Sequence, residues 1–208
     1  MATCRANRDA SIAVLAKAPV PGLAKTRLIP ALGADGAARL QAHFIAIAVE
    51  TALQVGAVTL WATPDDAHPL FQQLANKVKV VTQVAGDLGA RMLAAVSAAR
   101  APVLVIGTDC PALTTDHLRV AADLLNDGID VVVDPADDGG YALIGMNSAE
   151  PRLFTDMTWS TSTVMAETRR RLARLNLSWR EPARLWDVDV PEDLERMRSE
   201  NLTHLLPS

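Results

Sequence analysis

Short β-branched runs alternate along this chain with stretches whose apolar residues recur every three or four positions, from residue 11 almost to the C-terminus. A buried strand reads as a short apolar run and a covering helix as a 3.6-residue stripe, so the alternation predicts an α/β fold built on a mostly parallel sheet. Strands are expected over residues 11–16, 58–63, 78–82, 103–107, 130–133 and 141–146. Leu40, Phe44, Ile47 and Thr51 share one helical face and Ile45, Val49 and Leu53 a neighbouring one, which predicts a widely buried helix. A second helix is expected over residues 87–99 and a third after Thr114, a suitable N-cap. A fourth follows "WSTSTV", with Val164, Met165, Thr168, Leu172 and Leu175 as its inward stripe. Pro191 with Glu192 and Asp193 opens a last one, since proline fits the first helical position and acids complement the N-terminal dipole. The two strands around "VVVDPADDGGYALIGM" lie too close for a crossover, which predicts a hairpin-like pair and a mixed sheet.

The 208 residues, 50% of them hydrophobic and 21% charged, suit one domain over residues 11–208, preceded by a disordered leader over 1–10. Acids outnumber bases 24 to 20, leaving no electrostatic footprint for nucleic acid. The one dense basic cluster, Arg169, Arg170, Arg171 and Arg174, falls on a predicted helix and reads as a solvated face. No run reaches the roughly 18 apolar residues of a membrane helix, and the apolar run near the N-terminus is too short for a secretory signal. Cys4 and Cys110 lack partners at disulfide-framework or zinc-ligand spacing, which points to a reducing, cytoplasmic setting. His43, His68, His117 and His204 are scattered and read as structural. Oligomeric state leaves no mark in the pattern.

Four loops at expected strand ends carry unusual chemistry, and ligands of open α/β sheets bind at the carboxyl ends of strands. "KAPVPGLAKTRL" is stiffened by Pro19 and Pro21, loosened at Gly22 and loaded with Lys17, Lys25 and Arg27. Lys25-Thr26 mimics the end of a P-loop, but proline and alanine stand where that loop needs glycine, and no dinucleotide fingerprint follows the first strand. A rigid surface turn that offers Lys25 and Arg27 to a diphosphate remains. In "GTDCPALT", Asp109 ends an apolar run and reads as a ligand for Mg²⁺ or Mn²⁺. "DDGGY" sets Asp137 and Asp138 before Gly139 and Gly140, a sequence that suits both a hairpin turn and a site that a substrate approaches closely. "WDVDVPEDL" puts Asp187 and Asp189 on one face of an expected strand, an arrangement costly unless solvated, paired or bound to a cation.

In order and over nearly the whole chain, "KAPVPGLAKTRLIPALG", "GDLGARM", "GTDCPALT", "DPADDGGYALIGM", "WSTSTV" and "DVDVPEDL" resemble the DUF2064 family of small bacterial glycosyltransferase-like proteins. Its members also carry labels from radical-SAM and selenodomain-associated systems and from arsenosugar biosynthesis. The resemblance implies the Rossmann-like α/β/α sandwich of nucleotide-diphospho-sugar transferases, glycosyltransferase A-type. It implies a nucleotide-phosphate site at Lys17, Pro21, Gly22, Lys25 and Arg27, joined by Gln83 and Arg91 of a shared segment that includes Asp87. It further implies a metal pair at Asp109 and Asp189, and a substrate or acceptor side at Asp138, Gly139, Gly140, Tyr141 and Trp159. Asp138, Lys25 and Arg27 are the implied catalytic set, with Mg²⁺ or Mn²⁺ as cofactor and a nucleotide or nucleotide-sugar and a small acceptor as partners. Asp134, where the family usually has glycine, and Ala142, where it has a second aromatic, are departures that bear on the acceptor pocket. The implied activity is sugar transfer from a nucleoside-diphosphate sugar; nucleotidyl transfer from an NTP and non-catalytic nucleotide binding are its rivals.

Overall fold

Seven strands form one sheet in the order β3-β2-β1-β4-β6-β5-β7. They are β1 (Ala10–Lys17), β2 (Gly56–Thr63), β3 (Lys79–Thr82), β4 (Val103–Ile106), β5 (Val131–Pro135), β6 (Tyr141–Met146) and β7 (Trp179–Arg180). The protein is seen here as a computed structural model that describes residues 9–206. All pairings are parallel except those of β6, which runs antiparallel to both β4 and β5. The hairpin and the mixed sheet expected from sequence are thus present. Two expectations are corrected. β1 begins at Ala10, which is buried, so the expected leader does not extend to residue 10; its first eight residues, Cys4 among them, lie outside the described residues. Residues 184–189 form no strand and join the sheet only through an Ala136–Leu185 bridge, whereas the two-residue β7 went unforeseen.

Among the described residues six α-helices accompany the sheet: α1 (Ile29–Leu53), α2 (Pro69–Leu74), α3 (Leu88–Ser97), α4 (Thr115–Asn126), α5 (Val164–Arg174) and α6 (Pro191–Ser199). Period-two alternation decides which face each strand residue meets. Ile12, Val14 and Ala16 pack with Leu104 and Ile106 against Ile45 and Val49 of α1, Phe71 of α2 and Leu118 and Leu125 of α4. Ala13, Val103 and Val105 face the other way, onto Met92 and Val96 of α3 and Met165 and Leu172 of α5. The result is a three-layer α/β/α sandwich. A third cluster joins Leu28, Leu40 and Phe44 to Trp186, Val188, Leu194 and Met197, so the last helix is clamped onto the start of α1.

Local signals explain the helix starts. Thr114 caps α4 by accepting from the His117 amide at 3.4 Å, and His117 Nδ1 accepts the Thr114 amide at 3.0 Å, a reciprocal capping box that gives this histidine its structural role. His68 Nδ1 similarly accepts the Leu70 amide at the start of α2.

Candidate functional site

Strand order reverses direction around β1 and β4, and the loops leaving these two neighbouring strands flank the crevice that such a reversal opens. The loop after β1 turns at Val20, whose carbonyl accepts the amides of both Leu23 and Ala24, with Gly22 at φ 79°. Lys17 Nζ donates to the Leu23 carbonyl at 2.7 Å and braces this turn. The next two cations part company. Arg27 is exposed on the crevice wall and makes no ion pair among the described residues.

Lys25 turns inward, against the expectation of a surface donor. Its backbone is left-handed at φ 45° and ψ 45°, a conformation that costs a side-chain-bearing residue about 1–2 kcal/mol, and its side chain is only 3% exposed. Its ammonium donates to Asp109 Oδ1 at 2.5 Å, to the Val188 carbonyl at 2.6 Å and to Asp189 Oδ1 at 3.1 Å, and stands 5.7 Å from the Phe44 ring centre. Burial pulls the lysine pKa down, but the two carboxylates outweigh it and hold it above its ordinary value.

Asp109 and Asp189, 80 positions apart, therefore meet on one nitrogen, and their oxygens are no farther apart than those two contacts laid end to end. The convergence follows from backbone pairing, although Asp189 ends no strand. Leu185 pairs with the end of β5, its amide donating to Pro135 and its carbonyl accepting from Asp137; the Val188 amide then donates to the Asp109 carbonyl at 2.8 Å. Asp193 Oδ2 accepts the amides of Asp189 and Val190 and fixes the turn into α6.

Asp187, read from sequence as sharing a strand face with Asp189 but left out of the expected metal pair, lines the same crevice. Burial, then the charges of Asp109, Asp138 and Asp189, push its carboxyl up to about 7, against a smaller opposing pull from Lys25. The charges of Asp109, Asp138 and Asp189 thus all bear on Asp187, with the buried Lys25 ammonium as the opposing charge. The adjacent Cys110 thiol is pushed up to about 12 by burial and by Asp187, which leaves it a neutral, unreactive thiol.

The two aspartates before Gly139 divide their labour. Asp137 is structural: Arg184 at 2.6 Å and Arg196 at 2.8 Å hold it, Arg196 also lying 4.3 Å over the Trp186 ring. Asp138 lines the crevice, and its Oδ1 accepts the Gly140 amide at 2.8 Å. Gly139, at φ 89°, admits the "WSTST" loop: a Cβ there would stand 2.2 Å from the Ser162 carbonyl, while the Gly139 carbonyl accepts the Met165 amide at 2.8 Å. Gly140 lines the crevice, whereas Gly139, Pro21 and Gly22, expected at the site, do not line it.

Tyr141 and Trp159, which both line the crevice, meet edge to face at 6.4 Å, with the Tyr141 hydroxyl on Met92 Sδ at 3.8 Å. Burial raises the pKa of that phenol, which stays protonated. Gln83 donates to the Trp61 carbonyl at 2.7 Å and accepts from Arg91 Nη1 at 3.4 Å. Asp87 caps α3 by accepting the Ala90 amide, which gives that shared acid a structural role. Arg91 Nε and Trp159 Nε1 are buried donors without partners among the described residues, the indole nitrogen packing against Gly89 at the start of α3. Ala142 lines the crevice; Asp134 does not, being fully buried with Oδ1 on the Ala183 amide. The whole crevice encloses about 740 Å³.

Sheet order, mixed strand direction and a crevice at the β1/β4 reversal define the nucleotide-diphospho-sugar transferase fold. The chain belongs to the DUF2064 family, uncharacterized proteins conserved in bacteria, whose model matches residues 24–161. A solved structure from Desulfovibrio desulfuricans G20, described provisionally as a nucleotide-diphospho-sugar transferase, is 28% identical, with a TM-score of 0.86 over 93% of this chain and 87% of that one. More distant likenesses bear on the fold alone. A 4-diphosphocytidyl-2C-methyl-D-erythritol synthase from Anaerococcus prevotii DSM 20548 is 9% identical, with a TM-score of 0.59 over 94% and 97% of the two chains. A CMP:2-keto-3-deoxy-manno-octonic acid synthetase, solved with CTP, is 16% identical, with a TM-score of 0.57 over 95% and 100%. No protein of curated function matches the chain. No helix among the described residues is long and apolar enough to cross a membrane.

Proposed function

We propose that this protein is a cytoplasmic, metal-dependent transferase that binds a nucleoside-diphosphate sugar and moves the sugar to a small acceptor. One observation carries the reading: a single crevice at the strand reversal sets the exposed Arg27 and the braced Lys17 beside the converged carboxylates of Asp109 and Asp189. Among the described residues no three His, Cys, Asp or Glu side chains converge as a ready metal site. The Lys25 cage instead supplies two carboxylate oxygens and the Val188 carbonyl, hard donors of the kind Mg²⁺ and Mn²⁺ take alongside substrate phosphates, so the residues fit such a cation. Asp109 and Asp189 would hold it, and when bound it would supply neutralising charge for a leaving diphosphate.

In this reading Arg27 clamps phosphate through its planar fork. Asp138, held by its Gly140 contact at the acceptor side, is the candidate base for an acceptor hydroxyl. The likeness to the 28% identical protein supports sugar transfer. A second reading, nucleotidyl transfer from an NTP, has the support of the synthetase solved with CTP, which shares the fold at lower identity.

A thermal-shift panel of NDP-sugars, NDPs and NTPs, each with and without Mn²⁺, separates the two. A larger shift with NDP-sugars supports the first reading, a larger shift with NTPs the second, and no response to any nucleotide overturns both. Arg27→Ala is expected to weaken the best ligand about tenfold or somewhat more, the worth of one charge-assisted contact, without moving the unfolding midpoint. Calorimetric titration checks it; unchanged affinity would remove Arg27 from the phosphate site.

A further inference from the structure

The cage around Lys25 is lopsided in its exposure. The lysine side chain is 3% exposed, whereas the Asp109 and Asp189 side chains are each 46% exposed, so the cation is sealed beneath two anions that face the crevice. Three oxygens on one positive centre match the donor set of a hard divalent cation. A cation drawn to those same oxygens would meet the ammonium as a like charge at contact range. The lysine is also held there by a left-handed backbone, whereas Arg27 two residues on has none of these constraints. A flexible four-carbon stem carrying a point charge is able to leave the cage, and the crevice beside it is where the proposed function puts phosphates.

We infer that Lys25 is a built-in counter-cation: in the ligand-free protein its ammonium occupies the Asp109–Asp189 pair, and a divalent cation binds there only by displacing it, the phosphates of the incoming nucleotide then receiving the freed ammonium. The inference rests on the reading of Asp109 and Asp189 as the cation-binding pair. It makes metal and nucleotide mutually dependent ligands, because each removes the obstacle to the other. A lysine that stays in place as a permanent ion pair is the rival outcome.

Mn²⁺ titrated into the nucleotide-free protein, with free ion read by electron paramagnetic resonance, distinguishes the two. Lys25→Met is expected to bind Mn²⁺ at least tenfold more tightly than the parent, and adding Asp189→Asn is expected to abolish the gain. Lys25→Met binding no tighter than the parent overturns the inference. Should Lys25→Met fail to fold, the parent alone decides: acetic anhydride labelling, quantified by mass spectrometry, is expected to modify Lys25 slowly without metal and at least fivefold faster at millimolar Mn²⁺. A labelling rate unmoved by Mn²⁺ overturns it equally. Neither readout uses a sugar donor or an acceptor. Failure of the displacement with an intact nucleotide response therefore leaves the transferase reading standing, and displacement without a nucleotide response counts against that reading alone.

Discussion

Arg171→Met is expected to lower the unfolding midpoint by on the order of 10 °C, the largest stability effect we predict for a single side chain, although the residue sits in what reads from sequence as a solvated arginine cluster. Arg169 and Arg170 are exposed and paired with Glu181 and Glu167, whereas Arg171 is buried at 8% exposure. Its guanidinium donates to the carbonyls of Arg152, Leu153, Thr155 and Asp156, and its Nε to Glu167 at 2.6 Å. One planar fork thus satisfies the carbonyls of a whole loop that no strand pairs. Removing it strands several buried carbonyl acceptors, while Glu167 keeps its Arg170 partner, a loss of roughly 3 kcal/mol, and a protein of this size shifts by about 2–4 °C per kcal/mol. The same loop carries Phe154, whose carbonyl would stand 2.6 Å from a Cβ on Gly89, and leads into Trp159 of the crevice wall. The nucleotide response should therefore weaken together with stability. Arg171→Lys, a single point of charge, should recover less than half of the loss. Urea or thermal melts within 1 kcal/mol of the parent for Arg171→Met would sink the argument.

That case shows where sequence stops being legible. Periodicity found the helix and its inward stripe, of which Val164, Met165, Thr168 and Leu172 are buried and Leu175, just past the helix end, is half-buried. It could not find that Arg171 also points inward, because a guanidinium is buried only when a distant loop offers carbonyls, and that match is made in three dimensions. The opening loop has the same division. Its proline, glycine and basic content marked a site, but Lys25 and Arg27, two residues apart, were indistinguishable until the left-handed backbone at Lys25 sent one into a cage and left the other in solvent. The pairing of Asp109 with Asp189 was expected from the family resemblance and from a strand expected before each acid, a strand that is present only before Asp109. Its reason was not legible, since Asp189 is placed by Leu185 and Val188 pairing with neighbouring backbone and not by a strand of its own. Asp187 was legible only as a neighbour of Asp189, because the charges of Asp109 and Asp138 are brought near it by other elements.

Asp134→Asn is expected to be more stabilising, or less destabilising, at pH 7 than at pH 4, by about 2–3 kcal/mol. Asp134 is fully buried at the end of β5; its Oδ1 accepts the Ala183 amide at 3.1 Å, and its Oδ2 has no partner among the described residues. Burial pushes the carboxyl up from its ordinary 3.8 to about 6, against a smaller pull from the Ala183 amide. Between those two values the folded chain holds a proton that the unfolded chain has released, so raising the pH through this window removes stability. Below about pH 4 both states are protonated and no penalty arises; above about pH 6 both are ionised and the penalty is constant. A rise of that size in a carboxyl pKa corresponds to about 3 kcal/mol, of which a little is already present at pH 4. Asparagine keeps the oxygen that serves Ala183 and carries no charge, so the parent's loss between pH 4 and 7 should vanish from the variant. Urea unfolding of both proteins across that range measures the difference directly. Because Ala183 leads into the segment that carries Asp187 and Asp189, nucleotide affinity measured beside stability shows whether ionising this buried carboxyl also loosens the cage around Lys25. A stability difference between the two proteins that stays flat from pH 4 to 7 would mean that Asp134 is ionised, and adequately solvated, throughout.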